Sequence, residues 1–143
     1  MIDQENLSVV EFNIRFGDPE TQVVLPRLEN DLLEVFEAIL DKKLHTMTLK
    51  WKKESAICVV FASGGYPGSY EKNKLITGID KCEEQEDIHV IQAGTKRNNE
   101  NDLLTSGGRV LAVVGLDEDL ERSISKTYTS LKEINFENVV LIR

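Results

Sequence analysis

The run Ala56-Ile57-Cys58-Val59-Val60-Phe61-Ala62 predicts the core of this chain. Seven consecutive apolar residues, which is the length of a strand, indicate a strand that is buried on both faces. Residues 109–115 read Arg-Val-Leu-Ala-Val-Val-Gly, and they predict a second buried strand. The run Ser63-Gly64-Gly65-Tyr66-Pro67-Gly68 follows the first strand, and Thr105-Ser106-Gly107-Gly108 precedes the second. Each of these glycine-rich stretches predicts a defined loop at which the backbone can approach a ligand closely.

The rest of the chain predicts two helices and several short strands. Apolar residues recur at helical spacing between Pro26 and Lys43, which predicts the first helix. Residues 117–119 supply an acidic N-cap for a second helix with its apolar stripe at Leu120, Ile124, Tyr128 and Leu131. Together these elements place the chain in the α+β class. The further strand predictions are residues 1–2 and 7–12 around a turn, 44–53, 75–79, 89–94 and 139–142, with an acidic loop at 82–87 and a polar hairpin tip at 96–102.

Composition excludes several functional classes. The chain has 143 residues, a length that suits one sizeable core. A net charge of −8 argues against a nucleic-acid partner. The sequence has no apolar run of transmembrane length, so we expect no membrane partner, and we expect no secretory signal. Cys58 and Cys82 lie in different contexts, a pattern typical of a reduced, cytoplasmic protein.

Most of the candidate chemistry lies in the stretch Glu11-Phe12-Asn13-Ile14-Arg15-Phe16-Gly17-Asp18-Pro19-Glu20-Thr21-Gln22. We expect a strand in which Glu11, Asn13 and Arg15 share one face and the three apolar residues share the other. A carboxylate and an amide suit a hard cation, and an Arg beside them suits a phosphate. The alternative interpretation is an exposed polar strand face, with Arg15 forming a salt bridge to Asp18 across the turn.

The other polar and glycine-rich features have plain structural explanations from spacing alone. The loop at 63–68 lacks the Gly-Lys-Ser/Thr ending of a P-loop, so a tight turn accounts for it. His45 and His89 have no Cys or Asp at ligand spacing, and we expect both to be structural.

Several blocks together resemble one enzyme family. Residues 11–22 resemble the signature of the phosphoribosylamine–glycine ligases, which are ATP-grasp enzymes of purine biosynthesis. The blocks Ala62-Ser63-Gly64-Gly65-Tyr66-Pro67-Gly68, Ala93-Gly94-Thr95 and Gly107-Gly108-Arg109-Val110-Leu111-Ala112-Val113 match further family blocks in the right order. The resemblance implies ATP-dependent joining of glycine to 5-phosphoribosylamine through glycyl phosphate.

The resemblance also implies roles for individual residues. Glu11 and Asn13 match the family's Mg²⁺ or Mn²⁺ ligands, which hold the ion against the ATP phosphates. Arg15 matches a base near the transferred phosphoryl group, and Asp18 is expected to orient a substrate amine. Substrate binding is expected at Gly64, Gly65, Tyr66 and Pro67, which would line the cleft.

The resemblance covers only the C-terminal third of such an enzyme. It implies that residues 1–43 are the end of an ATP-grasp domain, with a strand and a helix. Residues 44–143 would then be a β-rich C-terminal domain of mostly antiparallel strands with a helix. We therefore expect a fragment that needs the N-terminal remainder of the ligase as its partner and is inactive alone. The alternative is a non-catalytic binding or regulatory module derived from the ligase.

Overall fold

The computed structural model describes residues 2–3, 6–7 and 9–142. The described chain is α+β with antiparallel strand pairing, as predicted. Its strands are β1 (Ile2–Asp3), β2 (Asn6–Leu7), β3 (Ser55–Ser63), β4 (Ile88–Gln92), β5 (Thr95–Arg97), β6 (Leu103–Thr105), β7 (Arg109–Asp117) and β8 (Val139–Ile142), and its α-helices are α1 (Thr21–Val24), α2 (Leu32–Leu40), α3 (Ile79–Glu83) and α4 (Leu120–Ser130).

The two apolar runs form the centre of a four-stranded sheet with the order β4-β7-β3-β8. Val59 of β3 is paired with Val113 of β7, and both side chains are buried. Strand β7 is buried from Val110 to Leu116, whereas β3 is buried only from Val59 onward. Phe61 is buried against Phe136 with the ring centroids 6.3 Å apart. The prediction of two buried strands is therefore confirmed, and they are direct neighbours.

Helix α4 packs on β3 and β7. Its predicted apolar stripe is confirmed at Tyr128 and Leu131, which pack on the core, and is wrong at the start of the helix. Leu120 and Ile124 are exposed, whereas Ser123, Thr127 and Ser130 are buried. Ser123 Oγ donates to the carbonyl of Gly115 on β7 at 2.8 Å. The close approach of helix and strand leaves room only for short side chains at this contact. The predicted cap is confirmed, because the Asp119 side chain accepts from the backbone N–H of Arg122 at 2.8 Å.

The predicted helix over 26–43 is divided in the structure. Helix α1 and a 3₁₀ turn (Leu25–Arg27) come first, and α2 begins only after Asp31. The Asp31 side chain accepts from the backbone N–H of Leu33 at 2.7 Å, which caps α2. Pro26 therefore lies in the 3₁₀ turn instead of the first turn of a long helix.

The predicted strand over 44–53 is also wrong. Residues 44–46 form a 3₁₀ turn, and Trp51 makes an isolated antiparallel bridge to Leu28. The backbone N–H of Glu29 donates to the carbonyl of Lys50, and that of Lys52 donates to the carbonyl of Arg27. This stretch therefore lies along residues 27–29 instead of joining the main sheet.

The remaining short elements follow the predictions in part. Strands β1 and β2 form the predicted terminal hairpin, while Met1, Gln4, Glu5 and Ser8 of that prediction lie outside the described residues. Strands β4 and β8 and the β5–β6 hairpin lie close to their predicted positions. Leu75 and Thr77 make isolated bridges instead of a strand, and α3 includes the start of the predicted acidic loop. Among the described residues, no helix has the length and apolar character needed to span a membrane.

Candidate functional site

The segment at residues 9–16 is irregular and exposed, so the predicted strand is wrong for this stretch. The side chain of Ile14 is 99% exposed and that of Phe12 is 85% exposed. Apolar residues give a strand stability when a neighbouring strand or core covers them. Residues 9–16 lie against no such neighbour in the described chain, so the backbone forms no strand there.

Glu11 and Asn13 are brought together at the start of this segment. Asn13 Nδ2 donates to Glu11 Oε1 at 3.0 Å, and both residues are exposed. One carboxylate and one amide oxygen are hard ligands, and Mg²⁺ sites commonly take one or two protein ligands and complete the shell with phosphates and water. The pair therefore fits the protein's share of such a site. Among the described residues, no three His, Cys, Asp or Glu side chains come together as a metal cluster.

Arg15 and Asp18 do not form the predicted salt bridge with each other. Arg15 Nη1 donates to the carbonyl of Phe16 at 3.1 Å. Asp18 instead pairs with Arg109, with Arg109 Nη1 and Asp18 Oδ2 3.0 Å apart. The same Nη1 donates to the backbone carbonyl of Asp18 at 2.9 Å. Asp18 therefore pairs with Arg109 of β7 instead of with Arg15, and the Arg15 guanidinium stays at the surface.

The turn around Asp18 is also fixed from the following helix. Gln22 Nε2 on α1 donates to Asp18 Oδ1 at 2.8 Å. The backbone N–H and the side-chain hydroxyl of Thr21 both donate to the carbonyl of Gly17. Each carboxylate oxygen of Asp18 thus has one donor. A carboxylate has about four lone-pair sites, so Asp18 retains acceptor capacity.

Arg109 also connects this turn to the glycine-rich loop. Arg109 Nε donates to the hydroxyl of Tyr66 at 3.1 Å. The hydrogen bond to Tyr66 and the charge of Asp18 raise the pKa of Arg109, so its guanidinium stays protonated. A Cβ on Gly108 would lie 2.3 Å from Cδ2 of Tyr66, so glycine at 108 lets the tyrosine ring lie on the backbone. The guanidinium of Arg109 therefore joins three of the sequence blocks described above, which are residues 11–22, 62–68 and 107–113.

The loop itself is a tight turn. The backbone N–H of Ser63 donates to the carbonyl of Gly108 at 2.8 Å, and Ser63 Oγ donates to that of Gly107 at 2.9 Å. The backbone N–H of Tyr66 donates to the carbonyl of Ser63 at 3.1 Å. Gly65 has φ of +95°, which favours glycine. The expected substrate-binding residues Gly64, Gly65, Tyr66 and Pro67 thus lie in a loop fixed against the start of β7.

A cavity of about 200 Å³ lies between the Asp18 turn and the sheet. Burial, together with the charge of Asp18, raises the pKa of the Cys58 thiol to about 11. At neutral pH this thiol is therefore uncharged, as suits the largely apolar wall. The cavity is lined by Pro19, Cys58, Val60, Tyr66, Arg109 and Ile142.

Comparison with known proteins identifies the family. The family model described as "Phosphoribosylglycinamide synthetase, C domain" matches residues 56–143. The chain belongs to this family. The matched range contains α4, the loop that carries Tyr66 and the central sheet apart from Ser55 at the start of β3.

Individual members of this synthetase family extend the match to the stretch before residue 56. A phosphoribosylamine–glycine ligase of Fusobacterium nucleatum is 41% identical over 139 residues, which cover 96% of this chain and 32% of the relative. A bifunctional purine biosynthetic protein of Dictyostelium discoideum is 44% identical over 133 residues, covering 93% of this chain and 16% of the relative. The match to the Fusobacterium nucleatum ligase covers 96% of this chain, which is enough that it must include residues 11–22.

A solved structure has the same fold. The crystal structure of a phosphoribosylamine–glycine ligase from Thermotoga maritima superimposes with a TM-score of 0.71 and 29% sequence identity. The match covers 93% of this chain and 32% of that structure. The chain thus spans about a third of the length of the bacterial synthetases that it matches.

Arg109 is the site residue that the sequence did not single out. It appears in the block Gly107-Gly108-Arg109-Val110, but no role was predicted for it. The available signal was the position of this charged residue, which follows two glycines and directly precedes a buried apolar run. Its partner Asp18 lies 91 residues earlier in the chain, so no local pattern connects them.

Proposed function

We propose that this chain is the C-terminal part of a phosphoribosylamine–glycine ligase, which joins glycine to 5-phosphoribosylamine with ATP hydrolysis in purine biosynthesis. The supporting observation is that Asp18, at the end of the 11–18 stretch, is bound directly to Arg109 in the family-matched domain. The matches to complete ligases favour this function over a regulatory module. Its two free cysteines accord with a cytoplasmic location.

The reaction needs positive charge around the phosphates. The glycine carboxylate takes the γ-phosphoryl group of ATP, giving ADP and glycyl phosphate. The amine of phosphoribosylamine then attacks the carbonyl carbon, the C–N bond forms, and phosphate leaves. Glu11 and Asn13 would hold Mg²⁺ or Mn²⁺, which supplies charge neutralisation at the phosphates. The exposed guanidinium of Arg15 would stabilise the negative charge of the acyl phosphate.

Two further groups would position the substrates. Asp18 keeps acceptor capacity beside Arg109, and we assign it to orient the attacking amine. The loop residues Gly64, Gly65, Tyr66 and Pro67 lie beside Arg109 and would line the substrate cleft. Tyr66 is the member of this loop with a side chain bonded to the site, through its hydroxyl.

The division into residues 1–43, as the end of an ATP-grasp domain, and residues 44–143, as the C-terminal domain, belongs to the same proposal. The first part carries an exposed apolar surface, which we call the apolar face. Leu40 on α2 is 81% exposed. The rings of Phe16 and Phe36 lie side by side, with their centroids 6.3 Å apart. An exposed apolar patch of this kind marks an interaction site, and the N-terminal remainder of the ligase would cover it. The apolar face consists of Phe12, Ile14, Phe16, Leu33, Phe36, Ile39 and Leu40.

Complementation tests this function. The chain is mixed with a separately expressed N-terminal part of a related ligase, and ATP- and Mg²⁺-dependent glycinamide ribonucleotide is measured. We expect activity from the mixture and from neither part alone. E11A and N13A should each lower it by at least about 10- to 100-fold, the loss that follows removal of a residue that merely supports a metal ligand. E29A and N99A remove the same groups at exposed positions outside the motif and serve as matched controls.

Two outcomes would contradict the proposal in different ways. Full activity with E11A and N13A would reject these residues as metal ligands while leaving the ligase function intact. A mixture that binds as a stable complex but forms no product would favour the regulatory module.

A further inference from the structure

We propose that Arg109 is a positioning residue that anchors the motif at residues 11–18 to the sheet. By holding Asp18, it sets where Glu11, Asn13 and Arg15 lie relative to the glycine-rich loop. This inference rests on the proposed function, because it concerns the residues assigned there to the metal and the phosphoryl group.

The geometry of the guanidinium supports this role. Arg109 is the first residue of β7, and its Nη1 binds both the backbone carbonyl of Asp18 at 2.9 Å and Oδ2 at 3.0 Å. Its Nε binds the hydroxyl of Tyr66 at 3.1 Å. Arg donors lie in a rigid planar fork, so bonds from two of its nitrogens fix the orientation of the group. The anchor therefore fixes the direction of the turn as well as its distance from the sheet.

The preceding segment depends on such an anchor. Residues 9–16 are irregular and exposed, so a strand ladder does not hold them. Two of the contacts that hold the end of this segment reach residues beyond α1, in addition to the bonds from Thr21 and Gln22 of α1 to Gly17 and Asp18. One is the ring contact of Phe16 with Phe36, and the other is the bond of Asp18 to Arg109. Loss of the bond to Arg109 would leave the turn with its bonds to α1 but without its bond to the sheet, so Asn13 and Arg15 would be held less firmly relative to the glycine-rich loop.

Lysine and arginine should differ at position 109. A lysine ammonium offers a point charge, which can pair with the Asp18 carboxylate but lacks the fork that also reaches Tyr66. R109K should therefore restore part of the anchoring that R109M loses. Arg97 provides a matched control, because its Nη1 donates within its own hairpin to the carbonyl of Asn101 at 2.7 Å.

The test uses the ¹⁵N-labelled full chain. In R109M we expect shifted amide resonances and lower heteronuclear NOE values for residues 11–18, with unchanged resonances in the interior of β3 and of β7. R109K should give intermediate values, and R97M should leave residues 11–18 as in the wild type. Wild-type resonances at 11–18 in R109M would overturn the proposal, whether or not metal binds.

Manganese titration separates this proposal from the metal assignment. Mn²⁺ should broaden the amides of Glu11 and Asn13 in the wild-type chain, and R109M should weaken its apparent affinity, because the segment that carries both ligands loses its bond to the sheet. Equal Mn²⁺ affinity in R109M and wild type would overturn the positioning role. If Mn²⁺ broadens neither amide in the wild type, the metal assignment fails, and the amide shifts in R109M still decide whether Arg109 anchors the turn.

Discussion

Gly94 and Gly107 lie against each other at the end of the sheet, so that a Cβ on Gly94 would lie 2.7 Å from the Cα of Gly107. The backbone N–H groups of Ser106 and Gly107 both donate to the carbonyl of Gly94, at 2.7 and 3.1 Å. This contact holds the stretch before β7 in place. Arg109, the first residue of β7, lies two residues after Gly107. The geometry of the candidate site therefore depends on two residues that have no side chains.

Replacing Gly94 with alanine should destabilise the fold. The new Cβ would lie 2.5 Å from the carbonyl oxygen of Arg109, and backbone has to move to accept it. We expect a loss of about 1–3 kcal/mol in the free energy of unfolding, the usual cost of overpacking. Urea denaturation followed by circular dichroism measures it. G68A is the control, because its Cβ meets a backbone oxygen only at 3.1 Å, and an equal loss in both variants would contradict the packing argument.

Gly115 and Thr127 should show strong coupling. A Cβ on Gly115 would lie 2.1 Å from Oγ1 of Thr127, so G115A forces α4 away from β7. We expect G115A to cost about 1–3 kcal/mol and T127A to recover part of that loss by removing the opposing hydroxyl. A double-mutant cycle of unfolding free energies measures the coupling. Additive effects of the two changes would show that the helix and strand do not touch at this point.

The two cysteines predict a loss of stability at high pH. Burial raises the thiol pKa of Cys58 and of Cys82 from 9.0 to about 11 in the folded chain. Because the folded state holds the proton more tightly than the unfolded state, this stabilisation is complete below pH 9 and is lost as the pH rises through 11. The thermal midpoint should fall over that window. C58A and C82A should each reduce the fall, and an unchanged fall in both variants would assign it to other groups.

A substitution at Asp18 should distinguish the thiol pKa of Cys58 from that of Cys82. Its charge contributes to the raised pKa of Cys58, whereas Glu83 and Glu133 contribute at Cys82. D18N should therefore lower the pH midpoint of Cys58 alkylation by iodoacetamide, while the fully buried Cys82 should stay unmodified in the folded chain. Alkylation of Cys82 in D18N would mean that the substitution loosens the whole fold.

The apolar face predicts self-association of the isolated chain. Exposed apolar area favours contact between molecules by about 25 cal/mol per Å² buried. Sedimentation velocity should therefore show oligomers whose proportion rises with concentration. I14S and L40S should lower that proportion. L120S is the control, since Leu120 is also exposed but belongs to α4 and not to this face. An equal effect of all three would indicate nonspecific association.

The fold could be predicted where a pattern is local. The apolar runs gave the positions of β3 and β7, and the acidic cap gave the start of α4. The division of the first helix could not be predicted, because it depends on a distant contact. Asn30 Oδ1 accepts from the backbone N–H of Lys50 at 2.6 Å, and this pairing keeps residues 28–30 out of a helix.

The candidate site was predicted in parts that the sequence could not connect. Tyr66 was expected to bind substrate and Asp18 to orient the substrate amine, with a salt bridge to Arg15 as the alternative for Asp18. Their common partner Arg109 lies 43 residues from the first and 91 from the second. Side-chain pairing over such distances follows from the tertiary fold, and spacing along the chain carries no information about it. The burial of Ser123 and Thr127 on α4 was missed for a similar reason, because the close contact with Gly115 selects small residues.

The order of the central sheet has a consequence for how the chain is made. Strand β3 ends at Ser63, but its neighbour β7 starts only at Arg109 and its other neighbour β8 only at Val139. At a synthesis rate of about 5–20 residues per second, several seconds pass between the synthesis of β3 and that of its first partner strand, β7. During that interval its apolar side chains and both of its edges are uncovered. Nascent chains of this protein are therefore most vulnerable to aggregation between the synthesis of β3 and that of β7, and a pause in translation there would prolong the risk.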